Sequence, residues 1–78
     1  MTTQIRSPLP GTFYRKPAPD APPFVADGGA VAVGDVIGLV EVMKMFNEVR
    51  AEAAGTNVRF LVGNEEPVTA GAVLAEMD

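Results

Sequence analysis

The run Val36-Ile37-Gly38-Leu39-Val40-Glu41-Val42-Met43-Lys44-Met45-Phe46-Asn47-Glu48-Val49-Arg50-Ala51 decides how this 78-residue chain folds. Its first part is the longest β-rich stretch of the sequence. Valines and the glycines at 34 and 38 disfavour a helix there. Beyond Lys44 the polarity alternates with period two. Glu48, Arg50 and Glu52 fall on one face, and Val49 and Ala51 on the other, which predicts a return strand. Only Met43 and Lys44 remain to connect the two strands. A two-residue hairpin calls for a mirror-type turn with positive φ, for which Asn-Gly is the inexpensive choice. Bulky residues there cost roughly 1–2 kcal/mol each. The sequence has put side chains ahead of backbone comfort, and the central one is a lysine between two methionines.

The flanking sequence supports an all-β reading. Ile5-Arg6-Ser7 reads as a short strand stopped by the turn signal Pro8-Leu9-Pro10-Gly11, and Thr12 to Arg15 as a second. Pro17-Ala18-Pro19-Asp20-Ala21-Pro22-Pro23 holds four prolines in seven residues. Proline lacks the N–H that a sheet ladder needs, so this segment is expected to be a stiff loop. Asp27-Gly28-Gly29 and Ala53-Ala54-Gly55 read as turns, Thr56 to Val62 as a strand, 63–67 as a loop, and Val68 and Ala72 to Met77 as the last strands.

The two halves of the chain resemble each other. Val31-x-x-Gly34-x-Val36-Ile37 and Val68-x-x-Gly71-x-Val73-Leu74 lie 37 residues apart, and Gly11-Thr12-x-x-Arg15 and Gly55-Thr56-x-x-Arg59 lie 44 apart. The first half therefore carries seven extra residues between Arg15 and Val31, where the proline-rich segment lies. Two such halves predict a flattened antiparallel barrel or sandwich of two four-stranded sheets with pseudo-twofold symmetry. The repeated glycines are expected at equivalent turns that need positive φ.

Composition bounds the function. The length suits one domain, residues 1–78, with one core. Apolar residues make up 47% of the chain and charged residues 21%, which argues for a folded domain. Net charge is -4 with no run of Lys or Arg, so neither nucleic acid nor anionic membrane is an expected partner. The chain has no Cys and no His. That excludes disulfides, thiol nucleophiles, the commonest general base and the commonest metal ligands. No metal site and no catalytic residue is expected. Met1 to Arg6 lacks the apolar run of a signal peptide, and the chain is expected to be soluble and cytoplasmic.

Glu41-Val42-Met43-Lys44-Met45 resembles the Glu-Ala-Met-Lys-Met signature of biotinyl domains, with Val42 where that family most often has alanine. Ser7 to Arg15, Val33-Gly34-Asp35 and Gly55-Thr56 look like the framework of the same family. The segment Pro17 to Pro23 resembles the "thumb" of the biotin carboxyl carrier component of acetyl-CoA carboxylases. The resemblance implies biotin joined covalently to Lys44 by a biotin protein ligase. It implies that Met43 and Met45 help the ligase recognise the turn, and that Glu41 helps exclude related ligases. It further implies a non-catalytic carrier that moves CO2 from a biotin carboxylase to a carboxyltransferase, most simply that of acetyl-CoA carboxylase in fatty acid synthesis.

Rival readings are a carrier domain of another biotin-dependent carboxylase, a lipoyl-type swinging arm and an unmodified β-barrel adaptor. The sister lipoyl domains carry Asp-Lys-Ala at this turn, so the methionine pair argues against the second of these. An autonomous enzyme is the weakest case, because no catalytic pair is evident.

Overall fold

β-Branched and aromatic runs form the strands, and proline or left-handed backbone ends them. The computed structural model describes residues 2–78. Seven strands are formed: β1 (Thr3–Arg6), β2 (Gly11–Tyr14), β3 (Val36–Val42), β4 (Met45–Arg50), β5 (Arg59–Phe60), β6 (Glu66–Val68) and β7 (Val73–Met77). They make two antiparallel sheets, in the orders β1-β7-β5 and β4-β3-β2-β6. The all-β expectation holds. No helix among the described residues is long and apolar enough to cross a membrane.

The inward positions form one core. Phe13, Ile37, Val40, Val58 and Leu74 are completely buried, and Ile5, Val49, Ala51 and Met77 nearly so. The period-two reading of the return strand is borne out: Val49 and Ala51 point inward, while Glu48, Arg50 and Glu52 are exposed. Arg50 Nη2 donates to Glu48 Oε1 at 2.6 Å along that outer face.

Pseudo-twofold symmetry is present in the hydrogen bonds, in the registers that the repeat predicts. The Gly34 N–H donates to the Ala51 carbonyl and the Gly71 N–H to the Ser7 carbonyl, each at 2.8 Å. In return, the Ala51 N–H donates to Asp35 and the Ser7 N–H to Ala72, again at 2.8 Å. Side chains repeat the pattern. Arg50 Nη1 reaches the Gly34 carbonyl and Arg6 Nη1 the Gly71 carbonyl, both at 2.8 Å. Gln4 accepts from Arg6 as Glu48 does from Arg50. Gly34 and Gly71 have φ of 90° and 84°, so each supplies the left-handed turn at which an L side chain is strained.

Four expectations need correction. Gly11 and Gly55, though repeated, are not positive-φ turns: Gly11 lies in β2 and Gly55 in the bridge to Val31, and what excludes a side chain there is the close approach of Glu41 and Met77. The sheets hold three and four strands, not four each. Where β6 pairs with β2 through Gly11↔Val68, the equivalent segment forms only the isolated bridge Val31↔Gly55. Gly28-Gly29 precedes it, and glycine is a weak strand former that gives no side chain to the ladder. Thr56 to Val62 is not one strand. Asn57, at φ 54°, interrupts it, and only Arg59–Phe60 joins the sheet ladder. Residues 63–67 are not wholly loop, since Glu66 and Pro67 belong to β6. That strand lies at a sheet edge, where a missing proline N–H costs no ladder bond.

Candidate functional site

The β3–β4 hairpin is the longest ladder of the molecule. It runs from Val36↔Arg50 to Val42↔Met45 and leaves Met43 and Lys44 as the connection. Their φ angles are 50° and 67°, so both residues adopt the left-handed backbone that a two-residue turn demands. The strain is borne by a well-anchored hairpin. Asn47 Nδ2 donates to the Val40 carbonyl and to the Met45 carbonyl, each at 3.3 Å, just behind the turn. Val42 is half-buried and packs against the core, in line with the alternation.

This backbone throws the tip into solvent. Lys44 is exposed, Met43 is 92% exposed and Met45 is 71% exposed. Large apolar side chains this exposed, on both sides of a lone amine, mark a contact surface. Among the described residues, Lys44 has no ion-pair partner. Its amine is free to be acylated. Such a turn fixes the root of the side chain while its amine stands in solvent.

Glu41 lies on the outer face of β3, directly across from Phe46 on β4. Its Oε1 accepts a hydrogen bond from the Tyr14 hydroxyl at 3.0 Å. The rings of Tyr14 and Phe46 meet at 5.6 Å between centroids, tilted by 59°. The hydrogen bond to Glu41, followed by burial and by the charges of Glu41 and Glu65, holds the Tyr14 hydroxyl above the usual tyrosine range.

The proline-rich segment 17–23 stands off the barrel as an exposed loop with a pinned base. The Phe24 N–H donates to the Arg15 carbonyl at 3.0 Å, and the Ala21 N–H to the Ala18 carbonyl at 3.1 Å. Arg15 anchors the base further. Its N–H donates to Asn64 Oδ1 at 2.8 Å, and its guanidinium lies 4.2 Å above the Phe60 ring and 3.5 Å from Asp27 Oδ2. Between this loop and the hairpin runs a groove of about 170 Å³. Tyr14 and Phe46 line it from the sheet, Lys16 to Pro19 from the loop, and Asn64 and Glu65 from the connection before β6. The flap and the hairpin thus share a cleft beginning two residues beyond Lys44.

A family model described as "Biotin-requiring enzyme" matches residues 3–77. The chain belongs to this biotin/lipoyl family. Among its relatives is the biotin carboxyl carrier protein of acetyl-CoA carboxylase from Chlamydia pneumoniae, 46% identical over 70 residues, which are 90% of this chain and 42% of that protein. The protein of the same name from Pseudomonas aeruginosa is 47% identical over 64 residues, 82% of this chain and 41% of that one. The chloroplastic carrier protein 2 of Arabidopsis thaliana is 43% identical over 65 residues, 83% of this chain and 26% of its own length. The chain therefore spans less than half of each of these relatives. The crystal structure of urea carboxylase from Kluyveromyces lactis superposes with a TM-score of 0.78 at 28% identity, covering all of this chain and 6% of that one.

For a member of this family, the structure brings Glu41, Met43, Lys44 and Met45 together on one hairpin and sets the 17–23 loop across a groove from it. Sequence reasoning missed the residues that join the two: Tyr14, Phe46, Asn64 and Glu65. Tyr14 had a signal, since it is the single tyrosine and alternates outward from the buried Phe13. Asn64 and Glu65 had none.

Proposed function

We propose that this chain is a carrier domain in which Lys44 is acylated by biotin. The observation that carries the reading is the turn itself. Two bulky residues accept left-handed backbone to hold one amine at an exposed, methionine-flanked tip. Once bound, the ureido ring of biotin supplies a site that carries a carboxyl group from one active centre to another. The chain supplies the rest. The β3–β4 hairpin holds the root of the tether, and tethering raises the local concentration of the carried group without new contacts. Met43 and Met45 offer a ligase apolar contacts on both sides of the lysine, and Glu41 offers a carboxylate beside them.

The partners that fit are a biotin protein ligase, a biotin carboxylase and a carboxyltransferase. Identities of 43–47% with carrier proteins of acetyl-CoA carboxylase favour that complex, and with it fatty acid synthesis. We place the domain in the cytoplasm. The domain is then a non-catalytic component of a multi-subunit carboxylase. Pro17 to Pro23 acts as a thumb that covers the carried group and excludes water from it. The test is intact mass after coexpression with a biotin protein ligase and ample biotin. One biotinyl group should be added to the wild-type chain and none to Lys44→Arg. An unmodified wild type would remove the carrier reading.

A further inference from the structure

Tyr14 stands between the two functional elements. It ends β2, one residue before the arginine that pins the flap, and its side chain points outward because Phe13 beside it points into the core. Its hydroxyl donates to one oxygen of Glu41, Oε1, at 3.0 Å. Phe46 lies opposite Glu41 in the β3–β4 ladder, and its ring packs against that of Tyr14. The carboxylate is thus held from one side by a hydroxyl and hemmed from the other by a ring. The second oxygen, Oε2, has no hydrogen-bond partner among the described residues. A glutamate has three side-chain torsions, and fixing them beforehand reduces the entropy lost when a partner binds.

We propose that Tyr14 is a positioning residue for the modification of Lys44, orienting Glu41 so that its free carboxylate oxygen faces a hydrogen-bond donor on the modifying ligase. This rests on the reading of Lys44 as the biotin acceptor. Tyr14 touches neither the reacting amine nor the incoming acyl group, and acts through Glu41. The contact joins residues 27 apart in sequence, and it ties the recognition carboxylate to the strand that leads into the flap.

Steady-state biotinylation of the full, unmodified chain by a biotin protein ligase tests this. Tyr14→Phe removes one oxygen and keeps the ring, so the fold should persist, as an unchanged thermal midpoint would confirm. Its KM for the chain should rise about tenfold, the value of one hydrogen bond to a charged group. Its kcat should stay within about twofold, because binding and not chemistry is affected. Glu41→Gln should behave alike, and the double variant should be no worse than either single one. A Tyr14→Phe KM equal to wild type, or single effects that multiply in the double variant, would overturn the proposal.

A second readout does not depend on the ligase. The chain has one tyrosine and no tryptophan, so ultraviolet absorbance follows Tyr14 alone through alkaline titration. Glu41 and Glu65 raise its midpoint, and Lys16 lines the same groove. In Glu41→Gln the midpoint should fall towards the ordinary tyrosine value of about 10. An unmoved midpoint would show that the two side chains are not coupled in solution, and the proposal would fail. If the wild type gains no biotin while the midpoint still moves, the carrier reading and the role in modification fail together and only the contact survives. A modified wild type with an indifferent Tyr14→Phe removes the positioning role alone.

Discussion

The first half of the chain takes 16 residues to go from Arg15 to Val31, and the second takes nine to go from Arg59 to Val68. Much of the framework on either side of those connections is duplicated. Arg6 and Arg50 clamp equivalent carbonyls, and Gly34 and Gly71 make equivalent left-handed turns. Gly11 and Gly55 likewise admit equivalent close approaches, where a Cβ would run into the Glu41 carbonyl or the Met77 side chain. The symmetric parts build the barrel. The parts without a counterpart are the Met43-Lys44 turn and the 17–23 flap, and one groove is lined by the flap's Pro17 to Pro19 and by Phe46, two residues beyond Lys44. On the function proposed above, the working parts lie where the repeat is broken.

That division can be tested by mutating both halves in parallel. The largest effect should come from the core. Ile37 and Leu74 are equivalent and fully buried. Truncating either to alanine should cost about 2–5 kcal/mol in urea unfolding. Similar losses would support equal shares of the core, and a loss confined to one half would break the comparison. Gly34→Ala and Gly71→Ala come next. Neither glycine has a neighbour within 4 Å of an added Cβ, so only the left-handed backbone is at stake. Each should lose about 1–2 kcal/mol. Smallest of all in stability should be deletion of residues 17–23, which gives the first half the connection length of the second. Loop shortening of this kind changes unfolding free energy by only about 1 kcal/mol or less. The same deletion should nevertheless increase bicarbonate-dependent ATP turnover that yields no carboxylated product, measured with the partner carboxylase. Unchanged coupling would show that the flap is no shield.

Much of this was legible because it is local. The Met43-Lys44 turn follows from two strand patterns with only two residues to join them, and the repeat predicted the positive φ of Gly34 and Gly71, though Gly11 and Gly55, matched in the same way, do not carry it. The seven-residue excess located the flap. The prediction of four strands in each sheet failed because self-similarity cannot weigh Gly28-Gly29, which leaves Val31 with a single bridge, against Glu66-Pro67, which pairs along an edge. Thr56 to Val62 failed at Asn57, whose left-handed backbone was not marked by a glycine.

The sequence by itself determined the lysine, its strained turn, the apolar residues around it and the duplicated framework. Each depends on neighbours a few residues apart or on repetition, and both can be read along a line. Only the tertiary structure decided that Tyr14 holds Glu41 across 27 residues and that Asn64 pins Arg15 across 49. It also decided that the flap opens onto Phe46 and not onto solvent elsewhere. Those contacts depend on strand register and on how two sheets close over one core, and the order of residues carries no local mark of either.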